Sequence, residues 1–127
     1  MGYRSDITAV FYVSKVEHLP LLKLWLSENF PMDKFHEGIR WFNRGMIFEE
    51  SDTKWYEDYD EVKAFNKAAD NFKDLIVGFN NSSVEDQPMF CYEFVRIGEN
   101  YEDIETDHCG DHCEFILNVY RSVSIDV

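Results

Sequence analysis

Polar and apolar positions alternate over residues 5–13, with Ile7, Ala9, Phe11 and Val13 on one side and Thr8, Val10 and Tyr12 on the other. Period-two alternation in a run rich in β-branched and aromatic residues predicts a strand. Ser14 stands three residues before Glu17, the spacing of a capping box, and Pro20 fits only a first helical turn, so a helix is expected from near His18 to Asn29, ahead of Pro31. Its Leu19, Leu22 and Leu26 form a core stripe, while Leu21, Leu24 and Trp25 lie off it. A helix apolar on more than one side is either buried on both or offers one to a partner. Leu21 and Trp25 are therefore candidates for a partner or homodimer contact, with deeper burial in the monomer as the alternative.

Residues 39–50 predict a second strand, broken at Asn43-Arg44-Gly45 by a bulge or tight turn, and residues 53–56 a short third strand. Asp58 and Glu61 mark a second helix start. In that helix Val62, Phe65, Ala69, Phe72, Ile76 and Phe79 recur at three- and four-residue spacing, a single apolar stripe, and Gly78 suits its end. Residues 89–97 alternate again. A long acidic connection over 98–114 leads to a last strand over 115–124. The order β-α-β-β-α-β-β predicts one α+β domain spanning residues 1–127, an antiparallel sheet of four to five strands with two helices packed on one face.

Composition supports a folded core: 45% of the 127 residues are hydrophobic and 17% aromatic. Disordered chains lack the aromatic residues that offset ordering entropy. Charge adds the main functional constraint. Twelve basic against 25 acidic residues give a formal net charge of −13. Binding to nucleic acid or to an anionic membrane needs lysine and arginine at the contact, so both partners are disfavoured, and a basic protein surface is favoured. The charge is also segregated. Residues 1–40 carry five acidic and five basic residues, whereas residues 85–127 carry eleven acidic residues against Arg96 and Arg121, a net of −9. Glu49, Glu50, Asp52, Glu57, Asp58, Asp60 and Glu61 surround the single Lys54, and Glu99, Glu102, Asp103, Glu105 and Asp107 crowd the late connection. If the fold joins these segments they form one anionic face, open to three readings: a solvated surface, a protein-binding face, or a cation site.

Candidate chemistry is sparse. Asp107-His108-Cys109-Gly110-Asp111-His112-Cys113 repeats a short unit and places His108, Cys109, His112 and Cys113, all zinc-ligand types, within six residues. Structural zinc sites usually join two separated ligand pairs, so an ordinary loop is the simpler expectation, and no cofactor is expected. Negative neighbours raise a thiol pKa, which argues against a nucleophilic cysteine. No phosphate loop, dinucleotide fingerprint or serine-nucleophile motif is present, and no catalytic residue is assigned. The odd set Cys91, Cys109 and Cys113 has no framework spacing, and no targeting or membrane-spanning run is evident. A reducing cytoplasm is the expected compartment.

Three segments, Met1-Gly2-Tyr3-Arg4-Ser5-Asp6, the run from Lys54 to Val62, and Phe94-Val95-Arg96-Ile97-Gly98-Glu99, resemble in order and interval a group of small acidic accessory proteins of tailed bacteriophages. The resemblance implies no catalytic residues. It implies a setting in the bacterial host cytoplasm. The resulting expectation is a non-enzymatic inhibitor that binds a basic, nucleic-acid-handling or defence protein of the host, such as a restriction or CRISPR nuclease. It would use the acidic residues named above, with Leu21 and Trp25 as apolar anchors. The alternatives are a small metal-binding or catalytic protein built on the His/Cys segment, and a structural or assembly protein.

Overall fold

The computed structural model describes residues 2–80, 89–100, 102–110, 117–119 and 123–125. Strands β1 (Ser5–Val13), β2 (Ile39–Phe42), β3 (Gly45–Thr53), β4 (Phe90–Gly98) and β5 (Ile104–Cys109) form an antiparallel sheet in the order β2-β3-β1-β4-β5. Helices α1 (Leu19–Asn29), α2 (Met32–Phe35) and α3 (Asp60–Asn80) connect them, and β6 (Leu117–Val119) pairs antiparallel with β7 (Val123–Ile125) in a separate two-stranded sheet. The α+β class and the antiparallel sheet agree with the sequence pattern.

The helix-side core is a network of phenylalanines. Phe11 in the central strand lies edge-on to Phe30, Phe65 and Phe72, with ring centroids 5.4, 6.2 and 5.1 Å away. The α3 stripe is buried over Val62, Phe65, Ala69, Phe72 and Ile76, while Phe79 at its end is only partly buried. Each such ring is worth roughly 1.5–3 kcal/mol of transfer free energy over the exposed state.

The opposite face is apolar as well. Val10, Tyr12, Ile47, Cys91, Val95 and Ile97 are buried there together with Leu117 of β6. Glu93 projects into this layer at 5% exposure, accepting hydrogen bonds from the Tyr12 hydroxyl at 2.6 Å and the Leu117 N–H at 3.1 Å. An ionisable side chain in such a layer is tolerated because its oxygens are satisfied.

Several local expectations are revised. The break at residues 43–45 is a two-residue hairpin loop, since Phe42 pairs with Gly45. Gly45 is required by contact rather than dihedral freedom: a Cβ there would meet the backbone of Phe11 and Tyr12 in β1. The third strand ends at Thr53, and Lys54–Tyr56 crosses from β3 toward α3 without strand pairing. Residues 104–109, read as connection, form edge strand β5, because pairing with β4 overrides their poor strand propensity. In place of the single last strand predicted over 115–124 there are two short ones, β6 within it and β7 ending one residue beyond it. Ser14 caps nothing: α1 begins after His18 with no side-chain cap and with Pro20 in its first turn. Gly78 lies inside α3 rather than at its end.

Candidate functional site

Residues of three stretches far apart in sequence, Tyr3 to Asp6, Asp52 to Tyr56 and Arg96 to Asp103, meet at one end of the sheet. The Tyr3 hydroxyl donates to Asp103 Oδ2 at 2.5 Å and accepts the Asn100 N–H at 3.0 Å, while the Tyr3 N–H donates to the Tyr56 hydroxyl at 2.6 Å. Arg96 grips Asp103 through both terminal nitrogens, at 3.1 and 2.8 Å, and donates to the Ser5 hydroxyl at 3.2 Å. The Arg4 N–H donates to Glu99 and its guanidinium to the Asp52 carbonyl, both at 2.8 Å. Asp52 has φ 53°, a left-handed conformation that aspartate tolerates better than most residues, and its N–H donates to Asp6 Oδ1 at 2.8 Å. A Cβ on Gly98 would press on the Asp103 carboxylate and the Tyr3 hydroxyl, so a side chain there would displace this pair. The bond to Asp103, with the nearby Asp103 and Glu105 charges, outweighs burial and holds the Arg96 pKa above its usual value.

Beside this junction a groove runs between α3 and the edge strand β5. Its Trp55 end is a pocket of about 540 Å³ bounded by Trp55, Tyr56, Glu57, Asp58, Asn66, Arg96 and Glu105. Its other end, of about 400 Å³, is floored by Tyr92 and Phe94 and walled by Ala69, Asp70, Lys73, Thr106 and Asp107, with Asn66 and Glu105 shared by both ends. Helix periodicity puts Asn66, Asp70 and Lys73 on one face of α3, and strand alternation puts Glu105 and Asp107 on one side of β5. Five carboxylates (Glu57, Asp58, Asp70, Glu105 and Asp107) face two cations, Arg96 and Lys73, so the lining carries a net −3.

Lys73 Nζ lies 2.6 Å from Asp107, 3.6 Å from Asp70 and 5.9 Å from the centroid of the Tyr92 ring. Burial lowers its pKa, but the bond to Asp107 and the two carboxylate charges outweigh this and leave it raised. Burial, then the charges of Asp107, Asp70 and Glu105, push the Tyr92 hydroxyl pKa upward, so Tyr92 stays neutral.

The predicted acidic residues divide into two kinds. Glu49 pairs with Arg40 at 2.6 Å, Asp52 lies 3.9 Å from Arg4, and Asp103 and Asp107 are held as described. Glu105 approaches Arg96 at 3.8 Å, and Glu99 accepts the Arg4 N–H. Glu57, Asp58, Asp60, Glu61 and Glu102 make no ion pair among the described residues. Burial raises the Glu50 pKa, a hydrogen bond with Thr53 opposes this, and the charge of Glu61 adds to it. The segments are joined: Glu57 and Asp58 share a pocket with Glu105, and Glu50 and Glu61 line a neighbouring one that also contains Trp55.

Leu21 and Leu24 are 51% and 57% exposed. Trp25 is partly buried and packs on Phe72 at 5.1 Å, joining α1 to α3. Trp55 packs on Phe35 and Phe65, while Tyr56 meets Tyr59 edge-on at 5.1 Å.

His108 and Cys109 are adjacent in β5, so their side chains leave opposite faces of the strand. His112 and Cys113 lie outside the described residues. Among the described residues no group of three His, Cys, Asp or Glu side chains is placed to hold a metal ion. Cys91 is disulfide-bonded and fully buried, and the half-buried Cys109 directs its thiol to the Lys73 carbonyl at 3.9 Å. No helix among the described residues is long and apolar enough to cross a membrane.

The groove itself was not anticipated. Its signals were the Asn66/Asp70/Lys73 spacing beside the apolar stripe and the period-two pair Glu105/Asp107, both hidden in a chain where acidic residues are abundant. No family model, curated protein or solved structure matches this chain.

Proposed function

We propose that the chain is a non-enzymatic binding protein that covers a basic surface on a nucleic-acid-handling protein and so competes with nucleic acid for it. The observation that carries this reading is the meeting of the two acidic segments: Glu57 and Asp58 line one pocket with Glu105, with Glu61 in the adjoining one, on a chain of formal charge −13. Carboxylates without internal counter-ions project a field that steers a cationic partner and falls with ionic strength. In the setting the resemblance implies, the partner is a defence or nucleic-acid enzyme of a bacterial host, such as a restriction or CRISPR nuclease, and binding inhibits it in the cytoplasm.

The test is capture from bacterial lysate at low and high salt, with each captured protein purified and assayed. The expected result is a stoichiometric complex, released by duplex DNA or RNA and by high salt, in which the partner's action on nucleic acid is blocked. A purified partner bound equally well after Glu57→Lys, Asp58→Lys and Glu102→Lys together would refute the acidic-surface reading.

A further inference from the structure

We infer that the Trp55 end of the α3/β5 groove receives the guanidinium of an arginine on the protein partner, an inference that rests on the acidic-surface reading above. The groove contains its own precedent for a bound cation. At the Tyr92 end the Lys73 ammonium sits between Asp107 and Asp70 and over the Tyr92 ring. The Trp55 end gathers related groups, the rings of Trp55 and Tyr56, the Asn66 amide and the carboxylates of Glu57, Asp58 and Glu105, with the Arg96 guanidinium also in its lining.

Its resident cation is committed elsewhere. Both terminal nitrogens of Arg96 bind Asp103, the side chain is only 18% exposed, and Nε approaches Glu105 no closer than 3.8 Å. Glu57 and Asp58 line the same pocket and make no ion pair among the described residues.

The pocket's composition selects among cations. A guanidinium is planar and weakly hydrated, stacks on an indole face, and offers paired N–H donors to carboxylates. A lysine ammonium is a strongly hydrated point charge that gains less from the ring. A hard divalent cation would need about six to eight oxygen ligands. No group of three such side chains is placed for one among the described residues.

The test is an NMR titration of the whole ¹⁵N-labelled chain at low salt with acetyl-Gly-Arg-Gly-amide, against otherwise identical peptides carrying lysine or citrulline. The expected result is a saturable shift of the Trp55 indole N–H and of the Asn66 and Glu105 amides. Binding should be at least threefold weaker for lysine and absent for citrulline. Glu57→Gln with Asp58→Asn should weaken the arginine peptide roughly tenfold, the order expected for removing two partly screened charge contacts. Circular dichroism and the melting temperature check that this variant stays folded.

Equal affinity for lysine, shifts spread over the acidic surface without a maximum at Trp55, or an unchanged affinity in the double variant would overturn the guanidinium site. Those outcomes leave the acidic-surface reading intact, because that reading fails separately, when face-wide charge reversal leaves partner capture unchanged.

Discussion

Two acidic regions lie side by side, and their carboxylates are used in opposite ways. At the sheet-end junction Asp103 is held by Arg96 and Tyr3, and Asp6 and Glu99 accept backbone N–H groups of Asp52 and Arg4. These charges are engaged within the fold, Asp103 through part-buried bonds from Arg96 and Tyr3, Asp6 and Glu99 through backbone N–H groups at the surface. Along Glu57–Glu61, Glu57, Asp58, Asp60 and Glu61 form no ion pair among the described residues, so their field extends into solvent. The difference shows that formal charge overstates what a partner meets. The carboxylates available for binding are those that the few arginines and lysines leave uncompensated.

The sharpest way to test this division is to remove carboxylates of each kind and read stability. Glu93→Ala, the buried extreme of the first kind, strands the Tyr12 hydroxyl and the Leu117 N–H, and should cost about 3 kcal/mol in urea unfolding. Asp103→Ala should cost about 2 kcal/mol, because it deprives the Arg96 guanidinium and the Tyr3 hydroxyl of their acceptor. That loss should persist at high salt, since hydrogen bonding in a partly buried site carries most of it.

Glu57→Lys with Asp58→Lys should change stability by no more than about 0.5 kcal/mol, yet weaken the partner complex at least tenfold at low salt, read by calorimetry on the purified pair. A stability loss rivalling that of Asp103→Ala would erase the distinction between the two regions.

Glu50 offers the smallest and most diagnostic effect. Its pKa is raised in the folded chain, so the ionised form is disfavoured there and the penalty is fully present well above the ordinary value of 4.5. Glu50→Gln should therefore raise the melting temperature at pH 7. The gain should disappear as the pH falls below that ordinary value, where both folded and unfolded chains hold the proton. A gain that persists in acid would assign the effect to packing rather than charge.

Much of the architecture was legible in the chain. Ile7 to Val13 and Val62 to Phe79 carry their periodicity in consecutive residues, because the interactions that define β1 and α3 act on side chains two, three or four positions apart. The segment Glu102–Cys109 was not legible as a strand. Its residues have little strand preference, and Ile104 to Cys109 become β5 only through pairing with Ile97 to Tyr92. Thr53–Tyr56 misled in the other direction: Trp55 looks strand-like, but it is a core aromatic on a crossing segment.

The site shows the same limit. The sequence by itself determined the α+β order, the apolar stripes and the acidic excess, since these follow from composition and short-range spacing. Only the tertiary structure decided that Tyr3, Tyr56, Arg96 and Asp103 knit one junction, that Glu105 faces Glu57 and Asp58 across a groove, and which carboxylates keep their charge unpaired. Those outcomes depend on strand order and register, which bring together residues up to 100 positions apart. Local propensity carries no record of such distances.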